Sequence, residues 1–134
     1  MTGDGLCPLY MRRWTLLRWG ERAVYLHHFV GDDWSLDLHD HPKPFLSIGL
    51  NGMYVEETAL GLKPWFAPWW RTFPAEHAHR IRLINRMPGE KVPCWTLAIV
   101  GRKEREWGWW HKGVWYPWRT YLKMPAAAER KSCP

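Results

Sequence analysis

Hydrophobic residues recur along this chain in short runs, most of which alternate with polar residues or are rich in β-branched and aromatic side chains. Such runs cover 22–30, 45–50, 53–58 and 78–84, and each predicts a β-strand. Shorter runs predict further strands at 106–110 and 114–118, and the run 65–73 predicts a strand interrupted by Pro68. The segment 94–100 is almost wholly apolar, which predicts a strand covered on both faces.

Prolines and glycines separate these runs at short intervals, and no long amphipathic helical pattern occurs between them. Asn51-Gly52 stands between two strand-like runs, which predicts a hairpin there. Many short strands with frequent turns indicate an all-β sandwich or barrel. We expect one domain over residues 1–124, with its core at about 22–118, and a flexible tail at 125–134.

Composition supports a globular domain and narrows the choice of partners. The chain has 134 residues, of which 46% are hydrophobic and 24% charged, so it is long and apolar enough to bury a core. Its twelve tryptophans are expected to wall a core or a pocket, with stacking on flat ligands as the functional alternative. The net charge of +6 comes from scattered Lys and Arg residues, which favours a solvated surface over a continuous nucleic-acid stripe.

Cysteine usage and hydropathy suggest a compartment. The three cysteines are odd in number and widely spaced, and no C-x-x-C occurs, which argues against a disulfide framework and a zinc knuckle. A reducing cytoplasm fits this pattern best. Neither a signal peptide nor an apolar run of the roughly 20 residues needed to span a membrane is present. We therefore expect a cytoplasmic protein, in the host cell if the chain is phage-encoded.

Two H-x-H pairs are the strongest chemical signal in the chain. His39 and His41 form one pair, and His77 and His79 form the other. Residues i and i+2 of a strand point to the same face, so each pair places two imidazoles side by side. Imidazole nitrogens arranged in this way can hold one metal ion at about 2.0–2.1 Å. The alternative is that these histidines have a structural or surface role.

At these pairs the chain resembles the cupin superfamily. The first cupin motif contains H-x-H, three or four residues, a glutamate, six residues and a glycine; here Phe45 takes the place of the glutamate and Gly52 that of the glycine. In the second motif Pro74 and His79 stand at the expected offsets, with Glu76 in place of a glycine and Leu83 in place of an asparagine. The strings HDHPKPFLSIGLNGMYVEE, CWTLAIVG and REWGW also resemble a set of small uncharacterised bacterial and phage cupins.

This resemblance implies a double-stranded β-helix, or jelly-roll barrel, that binds one divalent metal ion. It carries the ligand roles onto His39, His41 and His79, whereas Phe45 cannot act as a ligand. His77 lies outside the motif. In a regular strand it would share the face of His79, where it could act as a further ligand or as an acid or base. Three neutral imidazoles suit Fe(II) chemistry with O2 or Lewis-acid chemistry at zinc, and nickel and manganese stay open.

Other polar residues are candidates for the same site. Alternation after the Asn-Gly turn sends either Glu56 or Glu57 inward, where it could act as general base; the alternative for each is a solvent-facing charge. Asp40 is expected to point away from the metal. Four residues complete the predicted ligand pocket, with the arginine as a clamp for an anion: Tyr25, Phe45, Tyr54 and Arg71. Of the adjacent His27 and His28 only one can face the interior, and His111 is expected to be structural.

Three functions remain open at this point. The first is a metal-dependent enzyme acting on a small molecule, with oxygenase chemistry ahead of isomerase or lyase chemistry. The second is a cupin that binds or sequesters a small anionic ligand, such as a nucleotide or an activated sugar, without turnover. The third, ranked last, is a single-stranded nucleic-acid binder. The resemblance to cupins also implies a homodimer.

Overall fold

The computed structural model describes residues 10–33, 35–88 and 90–125. Strands make up most of these ranges, together with one helical turn, α1 (Trp118–Tyr121). The strands are β1 (Met11–Trp19), β2 (Arg22–Phe29), β3 (Leu38–His39), β4 (Phe45–Asn51), β5 (Met53–Thr58), β6 (Gly61–Phe66), β7 (Trp69–Phe73), β8 (Arg80–Arg82), β9 (Asn85–Met87), β10 (Glu90–Lys91), β11 (Cys94–Val100), β12 (Gly108–His111) and β13 (Val114–Pro117).

Two groups of antiparallel strands enclose the interior. The first is a five-stranded sheet in the order β1-β2-β11-β4-β7. The second combines two three-stranded sheets, β6-β5-β8 and β13-β12-β3, which are joined by an isolated bridge between His39 and His79. β9 and β10 form a small separate ribbon. The predicted all-β class is therefore confirmed, and the crossing of the chain between the two layers gives the double-stranded β-helix.

The strands predicted from alternation are found close to their expected bounds, at β2, β4, β5 and β11. The expectation that 94–100 is covered on both faces is wrong: burial in β11 alternates between buried and half-buried residues, because this central strand covers the interior on one face only. The expected strand at 65–73 is two strands, β6 and β7, on either side of Pro68. The predicted tail lies, apart from Pro125, outside the described residues.

The expected Asn-Gly hairpin is wrong, although the turn itself is present. β4 and β5 are separated by Gly52 alone, yet β4 pairs with β11 and β7, whereas β5 pairs with β6 and β8. Gly52 has a φ of 88°, and a Cβ at this position would lie 2.3 Å from the carbonyl oxygen of Pro93. The glycine therefore allows the chain to pass from one sheet to the other instead of folding back on itself.

β1 has no counterpart among the predicted strands. Its pairing with β2 shifts register between Thr15 and Leu17, where an extra residue is inserted into the strand. A bulge of this kind breaks the period of two on which the prediction of strands depends. The folded core therefore begins about ten residues before the expected position of 22.

The interior is packed by aromatic residues, but few of the tryptophans in the described ranges are buried. One cluster is centred on Tyr54 and Trp69, and another on Trp109 and Tyr121. By contrast, several of the described tryptophans are more than two-fifths exposed: Trp14, Trp19, Trp70 and Trp110. The large tryptophan content therefore serves the outer surface as well as the core.

Candidate metal centre

Backbone pairing brings the two H-x-H motifs together. His39 at the end of β3 and His79 just before β8 exchange two backbone hydrogen bonds, each 2.9 Å long. Residues paired in this way across antiparallel strands have neighbouring side chains on one face. The backbone N–H of His41 donates to the carbonyl of Ala75 at 3.0 Å, which fixes the second histidine of the first motif against the segment before the second motif.

The three histidines predicted as ligands form a triangle. Their ring centroids are 5.2 Å apart for His39 and His41, 5.1 Å for His39 and His79, and 4.9 Å for His41 and His79. One ring nitrogen from each lies within 4.8 Å of the others, which is close enough for a single ion to be shared. Neighbouring imidazoles meet edge to face, at angles of 68° to 83°.

Burial favours the neutral form of two imidazoles of the triangle, those of His39 and His41. Burial lowers the pKa of His39 to about 4, although Asp33 opposes this shift. Burial also lowers the pKa of His41 well below its ordinary value, and three neighbouring histidines, His79, His39 and His77, act in the same direction. Metal ions bind the deprotonated imidazole, so these rings are in the correct form near neutral pH.

A buried nitrogen without a partner fits a metal at this position. His41 Nδ1 is buried and makes no hydrogen bond to any part of the chain that the structure describes. An unsatisfied buried polar atom is costly, and a cation bound directly to this nitrogen would compensate for that cost. The donor set of three imidazoles also suits a divalent transition metal.

Glu56 fixes the orientation of the His79 ring through its Nδ1 atom. Its Oε2 atom lies 2.6 Å from His79 Nδ1 and 2.9 Å from His77 Nε2. A carboxylate at one imidazole nitrogen fixes the ring and leaves the other, Nε2 in His79, available to a metal. Burial by itself would raise the pKa of Glu56, but the hydrogen bonds to His77, His79 and Arg71 together lower it below its usual range.

Arg71 completes this cluster from the far side of the carboxylate. Its Nη2 atom donates to Glu56 Oε1 at 2.8 Å, and its guanidinium lies 3.7 Å from the ring centroid of Trp65 and 4.1 Å from that of Phe73. The arginine is thus held between two aromatic rings by an internal ion pair. Arg71 is not among the residues that line the cavity described below. Its position therefore does not support the predicted role as an anion clamp in that cavity, which stays a prediction.

Phe45 occupies the position where the motif would have a glutamate, and it provides an apolar wall. Its ring stacks on Phe73 at 4.5 Å and meets His41 edge to face at 4.9 Å. It also packs against the buried cluster of Ala23, Tyr25 and Ala98. The fourth ligand of the motif is therefore replaced by a hydrophobic surface beside the histidine triangle.

A cavity of about 640 Å³ opens from the triangle into the space between the sheets. This size suits a small molecule, and three of the predicted pocket residues, Tyr25, Phe45 and Tyr54, line it together with His39, His41 and His79. Tyr54 is buried, which raises the pKa of its hydroxyl, so this side chain stays protonated.

The remaining candidates are placed as alternation predicts. Glu56 is buried, whereas Glu57 is turned to the other face, where its carboxylate lies 3.8 Å from Arg80 Nη1. His77 contacts Glu56 and forms a second possible ligand group with Glu56 and His79. Glu56, Glu57 and His77 are not among the residues lining the cavity, and a catalytic role for each of them stays a prediction.

Asp40 and the remaining histidines have structural contacts. The buried carboxylate of Asp40 accepts hydrogen bonds from the backbone of Gly108 at 2.7 Å and from Trp115 Nε1 at 2.9 Å, and it pairs with Arg105. His111 lies 3.0 Å from Asp37 through its Nδ1 atom.

Of the adjacent histidines on β2, one faces inward and one outward. His27 lines the cavity, whereas His28 stacks on Trp95 at a centroid distance of 3.9 Å. Neither belongs to the histidine triangle, as expected.

Two features of the site were not predicted from the sequence. Asp33 lies 3.6 Å from His39 Nδ1, a distance longer than a hydrogen bond, and its Oδ2 accepts the backbone N–H of Ile81 at 2.8 Å. Arg13 lines the cavity from β1, the strand that the sequence pattern did not reveal. The sequence signal that could have revealed Arg13 is the alternation of Met11, Arg13 and Thr15 on one face of β1. This alternation stops at the bulge after Thr15.

No protein-family model and no curated protein matches this chain. Solved structures do match it. A cupin superfamily protein from Desulfitobacterium hafniense has a TM-score of 0.54 at 16% identity, over 69% of this chain and 78% of that one. An uncharacterised conserved protein with a double-stranded β-helix domain, from Klebsiella pneumoniae, has a TM-score of 0.55 at 15% identity, over 80% and 81% of the two chains.

A third match is described as a sugar phosphate isomerase from a cupin superfamily, from Silicibacter pomeroyi. Its TM-score is 0.55 at 16% identity, over 75% of this chain and 65% of that one. Identities this low establish the fold only. The protein has the cupin double-stranded β-helix fold, as the sequence motifs implied, with His and Glu side chains placed where a metal ion could bind. Within the described ranges, no helical segment could cross a bilayer.

Proposed function

We propose that this protein is a mononuclear metal cupin that binds a small molecule in its cavity and acts on it at the metal. The observation that supports this proposal is the triangle of His39, His41 and His79, whose ring nitrogens lie within 4.8 Å of one another at the wall of the cavity. A divalent ion bound there would supply Lewis-acid or O2 chemistry, with iron, zinc, nickel and manganese as candidates.

The residues around that ion have separate roles. The three histidines hold it, and Glu56 keeps His79 in one orientation. Phe45 and the aromatic wall exclude water from one side, which leaves the remaining coordination positions to the substrate and O2 or water. Oxygenase chemistry is our first choice and isomerase chemistry our second, because the histidine triangle includes no carboxylate to reduce the charge of the metal.

Metal content tests the proposal. We expect about one equivalent of metal in protein purified without chelator, measured by elemental mass spectrometry, and a loss of that metal in the His39→Ala and His79→Ala variants. His28→Ala is the matched control, because His28 faces away from the cavity and stacks on Trp95. Iron would favour oxygen chemistry, and zinc would favour Lewis-acid chemistry. A wild-type protein without metal would refute the proposal.

The second candidate is a cupin that binds a small anion without turnover. The observation that favours it is the arginine-bearing opening of the cavity, where Arg13 and Tyr25 lie together. Metal removal separates the two candidates, because turnover requires the ion whereas binding of an anion at the opening does not. Single-stranded nucleic acid remains the last-ranked alternative, and a steep fall of its affinity with rising salt would support it.

We further propose that a second copy of the chain covers the outer face of the five-stranded sheet. One register row crosses all five strands with apolar side chains: Trp14, Leu26, Leu97, Ile48 and Trp70. The neighbouring row continues the apolar surface over four strands: Leu17, Val24, Ile99 and Leu46. Such a broad apolar face is unusual for a monomer and is typical of an interface.

The two tryptophans at the ends of the first row give this face much of its exposed apolar surface. Trp14 is 43% exposed and Trp70 is 75% exposed. Since a large aromatic side chain contributes about 150–250 Å² of surface, these two tryptophans alone leave roughly 180–300 Å² exposed. A stable interface buries about 800 Å² from each partner. We also propose that residues 1–124 form a single domain and that the protein is cytoplasmic.

A further inference from the structure

Two arginines of β1 lie around Tyr25 of β2, and Arg13 and Tyr25 are among the residues that line the cavity. The guanidinium carbon of Arg13 lies 4.4 Å from the ring centroid of Tyr25, and that of Arg18 lies 6.0 Å from it. Arg18 Nη2 also donates to the Tyr25 hydroxyl at 3.2 Å. Two positive charges are therefore held next to the same ring.

The bulge in β1 is the reason why both arginines face the same way. Arg13 pairs with His27, and Arg18 pairs with Ala23, so both lie opposite residues of β2 that point inward. Without the register shift between Thr15 and Leu17, two positions five residues apart would lie on opposite faces of the strand. The extra residue thus adds a second cation to the inner face.

Neither of these arginines is neutralised by an ion pair in the described part of the chain. Arg13 donates from Nε to His27 Nε2 at 2.9 Å, and Arg18 donates to Tyr25. Burial lowers the pKa of His27 to about 3, and the charge of Arg13 acts in the same direction, so His27 is a neutral acceptor. By contrast, the other arginines that reach the interior pair with a carboxylate, as Arg71 does with Glu56.

The position of Arg13 relates this pair to the histidine triangle. Its side chain lines the cavity and is also exposed, so it lies where the cavity opens to solvent. Between this opening and the histidines are Tyr25 and then Phe45, whose ring contacts His41 at 4.9 Å. A molecule that spans this path meets cations at one end, aromatic surface in the middle and imidazoles at the other end.

We propose that Arg13 and Arg18 form an anion subsite at the cavity opening, which binds the carboxylate or phosphate group of the small-molecule ligand. Guanidinium groups form strong charge-assisted hydrogen bonds with both anions. The ligand then has an anionic group, an apolar or planar body beside Tyr25 and Phe45, and an opposite end that reaches the metal. Only the part of this inference that concerns the metal end of the ligand rests on the proposed function, because the two arginines bind the anionic group without the metal.

Isothermal titration calorimetry with small aromatic probes tests the subsite. Phenyl phosphate and benzoate represent the two anions, and benzyl alcohol is the uncharged control. We expect an anion to bind wild-type protein more tightly than benzyl alcohol does, and to lose about tenfold or more in affinity in both Arg13→Gln and Arg18→Gln, since each removes a charged hydrogen bond. Comparing phenyl phosphate with benzoate shows which anion the subsite prefers.

Arg12→Gln is the matched control, because Arg12 is next to Arg13 on β1 but pairs with the outward-facing His28. This variant should bind the anions as wild type does, and Arg13→Lys should retain part of the affinity because it keeps the charge. Equal affinity in wild type and in Arg13→Gln, or no preference of the wild type for anions, would overturn the subsite.

The same titrations on chelator-treated protein and on His39→Ala separate this inference from the proposed function. Dependence of anion binding on Arg13 in metal-free protein supports the subsite even if the metal proposal fails. Stoichiometric metal together with anion binding that is indifferent to Arg13 and Arg18 would leave the metal centre in place and refute the subsite.

Discussion

Replacing Glu56 by glutamine should damage both folding and metal binding. The carboxylate is 3% exposed and forms three contacts, to His79 at 2.6 Å, Arg71 at 2.8 Å and His77 at 2.9 Å. Hydrogen bonds to charged groups contribute about 1.5–3 kcal/mol each, and breaking a buried ion pair costs about 3–5 kcal/mol. Because the amide oxygen can keep one of these contacts, we expect the free energy of unfolding to fall by about 2–4 kcal/mol.

Metal affinity should fall in the same variant for a different reason. Without the carboxylate at Nδ1, the ring of His79 loses the contact that fixes its orientation, and loss of such a partner typically lowers metal affinity by about 10–100-fold. Urea unfolding of metal-free protein measures the stability, and competition with a chromophoric chelator measures the affinity. The two measurements separate the structural role of Glu56 from its role in positioning the ligand.

Glu57→Gln is the control for this experiment. Its carboxylate is on the opposite face of β5, is 35% exposed and lies 3.8 Å from Arg80, so its loss should cost no more than about 1 kcal/mol and leave metal affinity unchanged. Equal losses of stability in both variants would refute the reasoning about burial. Metal affinity that survives Glu56→Gln would refute the positioning role.

Three further predictions follow from the same geometry. Treatment with a chelator should lower the Tm of wild-type protein but not that of His39→Ala, because a bound ion stabilises only a folded site; equal shifts would contradict this. Trp70→Lys should shift the protein from dimer to monomer, as measured by sedimentation velocity. Phe66→Lys, at an exposed residue of β6, is the control and should leave the dimer intact. A wild-type protein that sediments as a monomer would refute the proposed dimer. The pKa of His27 is near 6.5 in the unfolded chain and about 3 in the folded chain, so the free energy of unfolding of the wild type, measured with urea, should fall as the pH drops through that window. At pH 5, His27→Gln should retain up to about 2 kcal/mol of stability that the wild type loses. A pH profile that is the same in both proteins would contradict the lowered pKa.

Local patterns in the sequence were sufficient for several of the strands and for the candidate metal ligands. Alternation with a period of two is a property of neighbouring residues, so it located β2, β5 and β11. The same alternation predicted that only one of Glu56 and Glu57 would point inward. The motif spacing added His39, His41 and His79 as one group, and the structure brings these residues together.

Tertiary structure alone decided which strands pair and what surrounds the histidines. Pairing depends on contacts between residues far apart in the chain, so the sequence around Gly52 could not show that β4 and β5 enter different sheets. The bulge in β1 hid both the strand and the inward direction of Arg13. Glu56 reaches His79 across 23 residues of sequence, and only the packing of β5 beside β8 places its carboxylate behind the ring instead of in the cavity.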